Sequence, residues 1–271
     1  MLELIDVDVC YGPVQALRGI AMTVGDGEMV ALVGANGAGK TTTLRTISGM
    51  LAPARGTITF DGQRIDGLPP WKVIEHGVAH LPEGRALFAD MSVMENLRLG
   101  AWTQNGEKAF RRRVDEVMDH FPILRERSKQ AAGTLSGGEQ QMLGVARALM
   151  SDPKLLVVDE LSLGLAPKIV AQLFDILTAI NTTGTAVLMV EQFVHMALAH
   201  SSRAYVLAKG EVVLAGDAKE MRDRPELLAA YLGDDEANEE PSGGRASRDL
   251  SDPGVALAAA GSDKSARGRS K

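Results

Sequence analysis

The chain has 271 residues, 45% of them hydrophobic and 24% charged, the balance of a soluble globular protein with a sizeable core. A formal net charge of -6 at pH 7 excludes a protein built mainly to neutralise a nucleic-acid backbone, because that task needs a basic face. The single cysteine, Cys10, makes no intrachain disulfide, and no apolar run reaches the roughly 20 residues that cross a bilayer. Met1 is followed at once by Glu3, Asp6 and Asp8 rather than by a basic and then apolar signal segment, so the expectation is a cytosolic chain that neither spans a membrane nor is exported.

In chain order, β-type runs fall at residues 2–9, 29–33, 57–60, 155–158, 185–190 and 204–207. Helical periodicity fits 40–48, 107–120, 138–150, 167–180 and 193–199. Strands and helices interleave, which predicts an α/β fold with a mainly parallel central sheet, with hairpins near the start and at 205–214. No segment repeats at a fixed period, which excludes a solenoid. Residues 1–233 have globular texture. From Asp234 the sequence has no aromatic residue and no apolar periodicity, so 234–271 is predicted to be a disordered tail.

Between the runs at 29–33 and 40–48 lies Gly34-Ala35-Asn36-Gly37-Ala38-Gly39-Lys40-Thr41, a match to GxxxxGK[ST] in the strand-to-helix context the motif requires. Small residues let consecutive backbone N–H groups turn onto phosphate oxygens, and the helix beginning at Lys40 adds the positive end of its dipole. Lys40 is placed to reach the β and γ phosphates of a nucleotide, the Thr41 hydroxyl to hold Mg²⁺, and Thr42 extends the nucleotide-binding set. A second element, Leu155-Leu156-Val157-Val158-Asp159-Glu160, reads as a buried parallel strand ending in two acids, where open α/β sheets put ligands. Asp159 is expected to orient Mg²⁺ and Glu160 to act as general base on water.

Kinases, GTPases and motor ATPases share both elements, and Leu135-Ser136-Gly137-Gly138-Glu139-Gln140 separates them. Ser136 can cap the helix that follows, and Gly137 and Gly138 leave N–H groups open to an anion at its N-terminus. The hexapeptide resembles the signature of ATP-binding cassette (ABC) proteins, and the resemblance extends across the globular part. It implies a P-loop NTPase cassette of three parts: a mainly parallel RecA-like core sheet, an N-terminal antiparallel β subdomain, and a helical subdomain at about 89–150. It further implies that Tyr11 stacks on adenine, that residues 81–85 form the Q-loop with Glu83 near Mg²⁺, that 162–167 form the D-loop, and that Gln192 follows the switch strand. Ser136, Gly137, Gly138, Glu139 and Gln140 are implied to act on ATP bound to a partner cassette.

Glu83 stands where the family usually has Gln, Gln192 where it has His, Ala166 where it has Asp, and Leu161 where Pro normally follows the catalytic Glu. The first three are similar to the branch serving high-affinity branched-chain amino acid uptake, the LivF-like subunits; Leu161 departs from that branch too. The branch implies an importer on the cytoplasmic face of the membrane. Its parts are a second cassette (LivG-like, or a copy of this chain), two permeases, and an extracytoplasmic solute-binding protein. Uptake of urea, amides or other amino acids, or export, is the alternative; a soluble cassette acting on ribosomes or DNA usually has tandem cassettes, or a coiled-coil or basic insertion, none of which this sequence contains. His76, His80, His120, His195 and His200 have no metal-ligand spacing.

Overall fold

The computed structural model describes residues 1–84 and 86–224. The predicted tail lies outside the described residues. A four-stranded antiparallel sheet opens the fold, from β1 (Leu2–Tyr11), β2 (Val14–Val24), β4 (Arg55–Phe60) and β5 (Gln63–Arg64), in the order β2-β1-β4-β5. Between β2 and β4 the chain makes β3 (Met29–Val33) and α1 (Lys40–Ile47). Short α2 (Pro70–Glu75) leads into β6 (Val78–Leu81). Four helices follow: α3 (Val93–Gly100), α4 (Glu107–His120), α5 (Pro122–Glu126) and α6 (Gly137–Leu149). The chain closes with β7 (Leu155–Asp159), α7 (Pro167–Thr182), β8 (Ala186–Val190), α8 (Val194–His200), β9 (Arg203–Ala208), β10 (Glu211–Asp217) and α9 (Ala218–Arg222).

The second sheet has the order β10-β9-β3-β8-β7-β6 and is parallel throughout except for the β9–β10 hairpin. β3 and β8 are apolar at every position, and β7 up to its final Asp159, because both faces are covered. Ala31 and Val33 of β3 and Leu156 and Val158 of β7 pack with the helices. Val30 and Leu32, and Leu155 and Val157, face the antiparallel sheet and α1. The period of two thus divides each strand between two cores. β2 is tied to both ends of β9: at its start Arg203 bonds the Glu28 carboxylate and the Thr23 carbonyl, and at the turn beyond its end the Arg18 N–H donates to the Gly210 carbonyl at 2.8 Å.

Four of the parallel strands, β3, β7, β8 and β9, lie within a residue of the expected runs, and both expected hairpins form. The parallel strand β6 and the helices α2, α3, α5 and α9 are not among the expected elements; each has eight residues or fewer, too short for periodicity to distinguish.

Candidate active site

The loop after β3 has little room. A Cβ on Gly34 would lie 2.3 Å from the Leu207 carbonyl oxygen, and Gly39, the N-cap of α1, takes φ +109° with Leu17 against it. Glycine at both positions lets the loop fold tightly against β2 and β9 and turn into the helix. The Lys40 side chain is buried and folds back over the loop, donating to the Gly34 carbonyl at 2.5 Å and to that of Ala35 at 3.2 Å.

Beside this loop opens a cavity of about 620 Å³, lined by Asn36, Gly37, Gly39, Lys40, Thr41, Thr42 and Glu160, with Val14, Gln15, Ala16 and Arg18 of β2 and Lys209 from the β9–β10 turn. The β2 and Lys209 wall was missed from sequence. The signal for Lys209 is Lys209-Gly210, a two-residue turn with both φ positive, the hairpin pattern that shows where the chain reverses. Gly34, Ala35 and Ala38 form the loop's inner side and do not line the cavity. Tyr11 is exposed at the end of β1, paired with Val14, and is not part of the lining.

β7 delivers the two acids. The Thr41 hydroxyl donates to Asp159 Oδ1 at 3.3 Å, so the phosphate loop and the strand end meet directly. Asp159 is 1% exposed. Burial pushes its carboxyl up to about 6; the Thr41 hydroxyl opposes this, and the charges of Glu160 and Glu83 add to it. Glu83 is exposed and does not line this cavity; its charge acts on Asp159 from a distance. Among the described residues no group of three or more His, Cys, Asp or Glu could hold a metal by itself. One hydroxyl and one destabilised carboxylate beside a phosphate loop still suit Mg²⁺, which takes few protein ligands and completes its shell with phosphate and water.

Glu160 has φ +47°, a left-handed conformation that costs an L-residue about 1–2 kcal/mol. Its N–H donates to the Val190 carbonyl at 2.9 Å, fixing the turn to the end of β8, two residues before Gln192. Glu160 also lines a second cavity, of about 340 Å³, on its other side, with Gly84, Leu87, Gly133, Gln140 and Leu163. The predicted loops at 81–85 and 162–167 and the helix at 136–140 thus converge on the far side of Glu160. None of Ser136, Gly137, Gly138, Glu139 or Gln140 lines the cavity beside the phosphate loop.

Ser136 caps α6 as the sequence implied. Its hydroxyl accepts from the Glu139 N–H at 3.4 Å, while Glu139 accepts from the Ser136 N–H at 2.8 Å. Arg127 grips the Glu139 carboxylate with two nitrogens at 3.1 Å. Gly138 has Ile169 of α7 against it, where a Cβ would sit 2.6 Å away. Leu161 is buried in the helical core.

The Asp159 shift predicts a pH-dependent stability. A carboxyl whose folded pKa lies above its unfolded value contributes stability below the unfolded pKa, near 4, and loses it as pH rises through about 6. In nucleotide-free protein with EDTA, Asp159→Asn should raise Tm at pH 7.5, by about 2–4 °C if 1 kcal/mol is relieved. The gain should disappear near pH 4; a gain that is equal at both pH values would show that the ionised carboxylate is not its source.

The family profile described as ABC transporter matches residues 17–162. The chain is 43% identical over 233 residues to the high-affinity branched-chain amino acid transport ATP-binding protein BraG of Pseudomonas aeruginosa, covering 86% of this chain and all of that one. It is 36% identical to the probable branched-chain amino acid transport ATP-binding protein LivF of Archaeoglobus fulgidus, over 86% and 99% of the two chains. The fold superposes on a crystal structure of a nucleotide-free ATP-binding cassette from an ABC transporter with a TM-score of 0.77 at 24% identity, covering 86% and 99%. A phosphate loop joined through Thr41 to the acids of β7, a capped signature helix and this likeness make the chain a member of the ABC transporter ATP-binding family.

Proposed function

We propose that this cassette hydrolyses ATP to drive uptake of branched-chain amino acids through separate membrane permeases. The observation that carries the chemistry is the Thr41–Asp159 bond, which puts a phosphate loop, a buried carboxylate and Glu160 at one place. The solute class rests on the likeness to BraG over its whole length.

In this reading the backbone from Gly34 to Thr41, with Thr42, cradles the phosphates, and Tyr11 closes on adenine from the rim beside Val14. Lys40 leaves the Gly34 and Ala35 carbonyls and turns its ammonium to the β and γ phosphates. Thr41 and Asp159, with Glu83 nearby, hold Mg²⁺, whose charge would neutralise the phosphates and favour the ionised form of Asp159. Glu160 accepts a proton from the attacking water, and Gln192 donates a hydrogen bond toward the γ phosphate without changing charge. Ser136 and the N-terminus of α6 act on nucleotide held by a second cassette, LivG-like or a copy of this chain. The segment absent from this cavity's lining supplies the donors missing from the partner's.

The division we favour is a cassette over residues 1–233, with its helical subdomain at 89–150. Among the described residues no helix is long and apolar enough to cross a membrane; in this reading the permeases are separate chains. A groove of about 320 Å³ between α2, β6, α3 and α6, edged by exposed Phe88, Leu99 and Trp102, offers them an apolar seat on the cytoplasmic face.

Reconstitution with two permeases, a partner cassette and the binding protein in vesicles tests the reading. Leucine should be taken up only with MgATP. Uptake of urea, amides or other amino acids instead, or outward transport, would replace the solute or direction while keeping the ATPase; purification on ribosomes or DNA would remove transport.

A further inference from the structure

Glu191 is 1% exposed and Ser162 2% exposed, so neither has water to satisfy it. The Glu191 carboxylate accepts from the Ser162 N–H at 3.2 Å (Oε1) and from the Ser162 hydroxyl at 2.5 Å (Oε2). Just upstream, Glu160 donates its own N–H to the carbonyl of Val190. The segments 160–162 and 190–191 are therefore joined by three hydrogen bonds, two of them to one side chain. Burying a carboxylate this deeply is costly, and burial pushes Glu191 up to about 7 against the pull of those donors. A residue needed only to fill the space would be apolar, like its neighbours Val190 and Leu161.

What the contact secures is the strained turn at Glu160. That φ of +47° persists only where the surroundings over-determine it. The bond to Val190 holds the turn's first residue and Glu191 holds Ser162, two residues on. Glu191 also immediately precedes Gln192, so one carboxylate ties the loop carrying the proposed base to the segment carrying the proposed γ-phosphate donor.

We propose that Glu191 is a positioning residue for ATP hydrolysis, clamping Ser162 so that Glu160 keeps its turn and its register with Gln192. The inference rests on the ATPase reading of the site. Glu191 touches no nucleotide in it, so its loss should appear in turnover and not in binding.

The test uses the full chain, with MgATP turnover and the affinity of a fluorescent ATP analogue measured on each variant. Glu191→Ala should lower kcat roughly 10- to 100-fold, the cost of an ångström-scale displacement of a catalytic group, while the analogue's Kd stays within about threefold, below the tenfold that 1.4 kcal/mol would give. Glu191→Gln keeps an acceptor for the Ser162 N–H and can donate to the Ser162 hydroxyl oxygen, so it should recover most of the lost turnover. Ser162→Ala should lower kcat in the same sense, and the double variant should be no worse than Glu191→Ala, because the two residues act as one unit. If Glu191→Ala does not fold, Ser162→Ala and Glu191→Gln decide: unchanged turnover in Ser162→Ala overturns the clamp. A folded Glu191→Ala with wild-type kcat, or with kcat and affinity lost in parallel, also overturns it. A wild-type chain that hydrolyses no ATP even with a LivG-like partner cassette present removes both readings, whereas wild-type hydrolysis with an indifferent Glu191→Ala removes this one alone.

Discussion

Glu160→Gln is expected to lower ATP turnover by about 10²- to 10⁴-fold, the range for losing a general base, while nucleotide affinity changes little. Gln has the shape of Glu and no useful basicity, so the change isolates proton acceptance from packing. Geometry makes the residue a strong candidate. Glu160 is the first residue beyond β7, it lines the cavity beside Lys40, Thr41 and Thr42, and it faces a second cavity lined by Gln140 and Leu163. Its left-handed φ aims a side chain where an unstrained turn would not, and the bond to Val190 holds it there. The variant should also accumulate nucleotide-bound dimers, because a closed pair that does not hydrolyse does not reopen. Size-exclusion chromatography with and without MgATP reads this directly. Normal turnover in purified Glu160→Gln protein would move the base to another residue, with Glu83 the next position to substitute.

The parts of this site that were legible beforehand are those where one short segment carries both the fold signal and the chemistry. The apolar run of β3, the glycines after it and the start of α1 are contiguous, as are β7 and its two acids, and Ser136 with Glu139 three residues on is a capping box readable from spacing alone. The cavity wall from Gln15, Arg18 and Lys209 was not legible, because β2 and the β9–β10 turn reach the phosphate loop only through sheet packing. Glu191 was hidden for a different reason. In Val190-Glu191-Gln192 attention falls on Gln192, and nothing local shows that the middle carboxylate points inward to Ser162. An acid after a strand is usually solvated; this one is exceptional because a loop 29 residues upstream supplies its donors.

Lys40→Ala carries the other large effect, and here binding should fail before chemistry is reached. The ammonium is buried and bonds two carbonyls of its own loop, those of Gly34 and Ala35. Those contacts hold a positive charge at the cavity wall, and exchanging these two neutral carbonyls for phosphate oxygens strengthens each bond. Removing the charge forfeits one or more charge-assisted hydrogen bonds, each about 1.5–3 kcal/mol, which is roughly a 10- to 150-fold loss of affinity. Thermal shift reads this without any turnover. At a nucleotide concentration 100 times the wild-type Kd, binding stabilises the wild type by about 2.7 kcal/mol; after a 100-fold loss of affinity the same concentration leaves about 0.4 kcal/mol. The ATP-dependent rise in Tm should therefore nearly vanish in Lys40→Ala, whereas Glu160→Gln should retain it in full. The nucleotide-free Tm of Lys40→Ala should stay near that of the wild type, since glycine-driven packing against β2 and β9, rather than the lysine, shapes the loop. A full ATP-dependent shift in folded Lys40→Ala would mean that the nucleotide is held by the backbone cradle and the basic wall of Arg18 and Lys209, with the lysine reserved for the transition state.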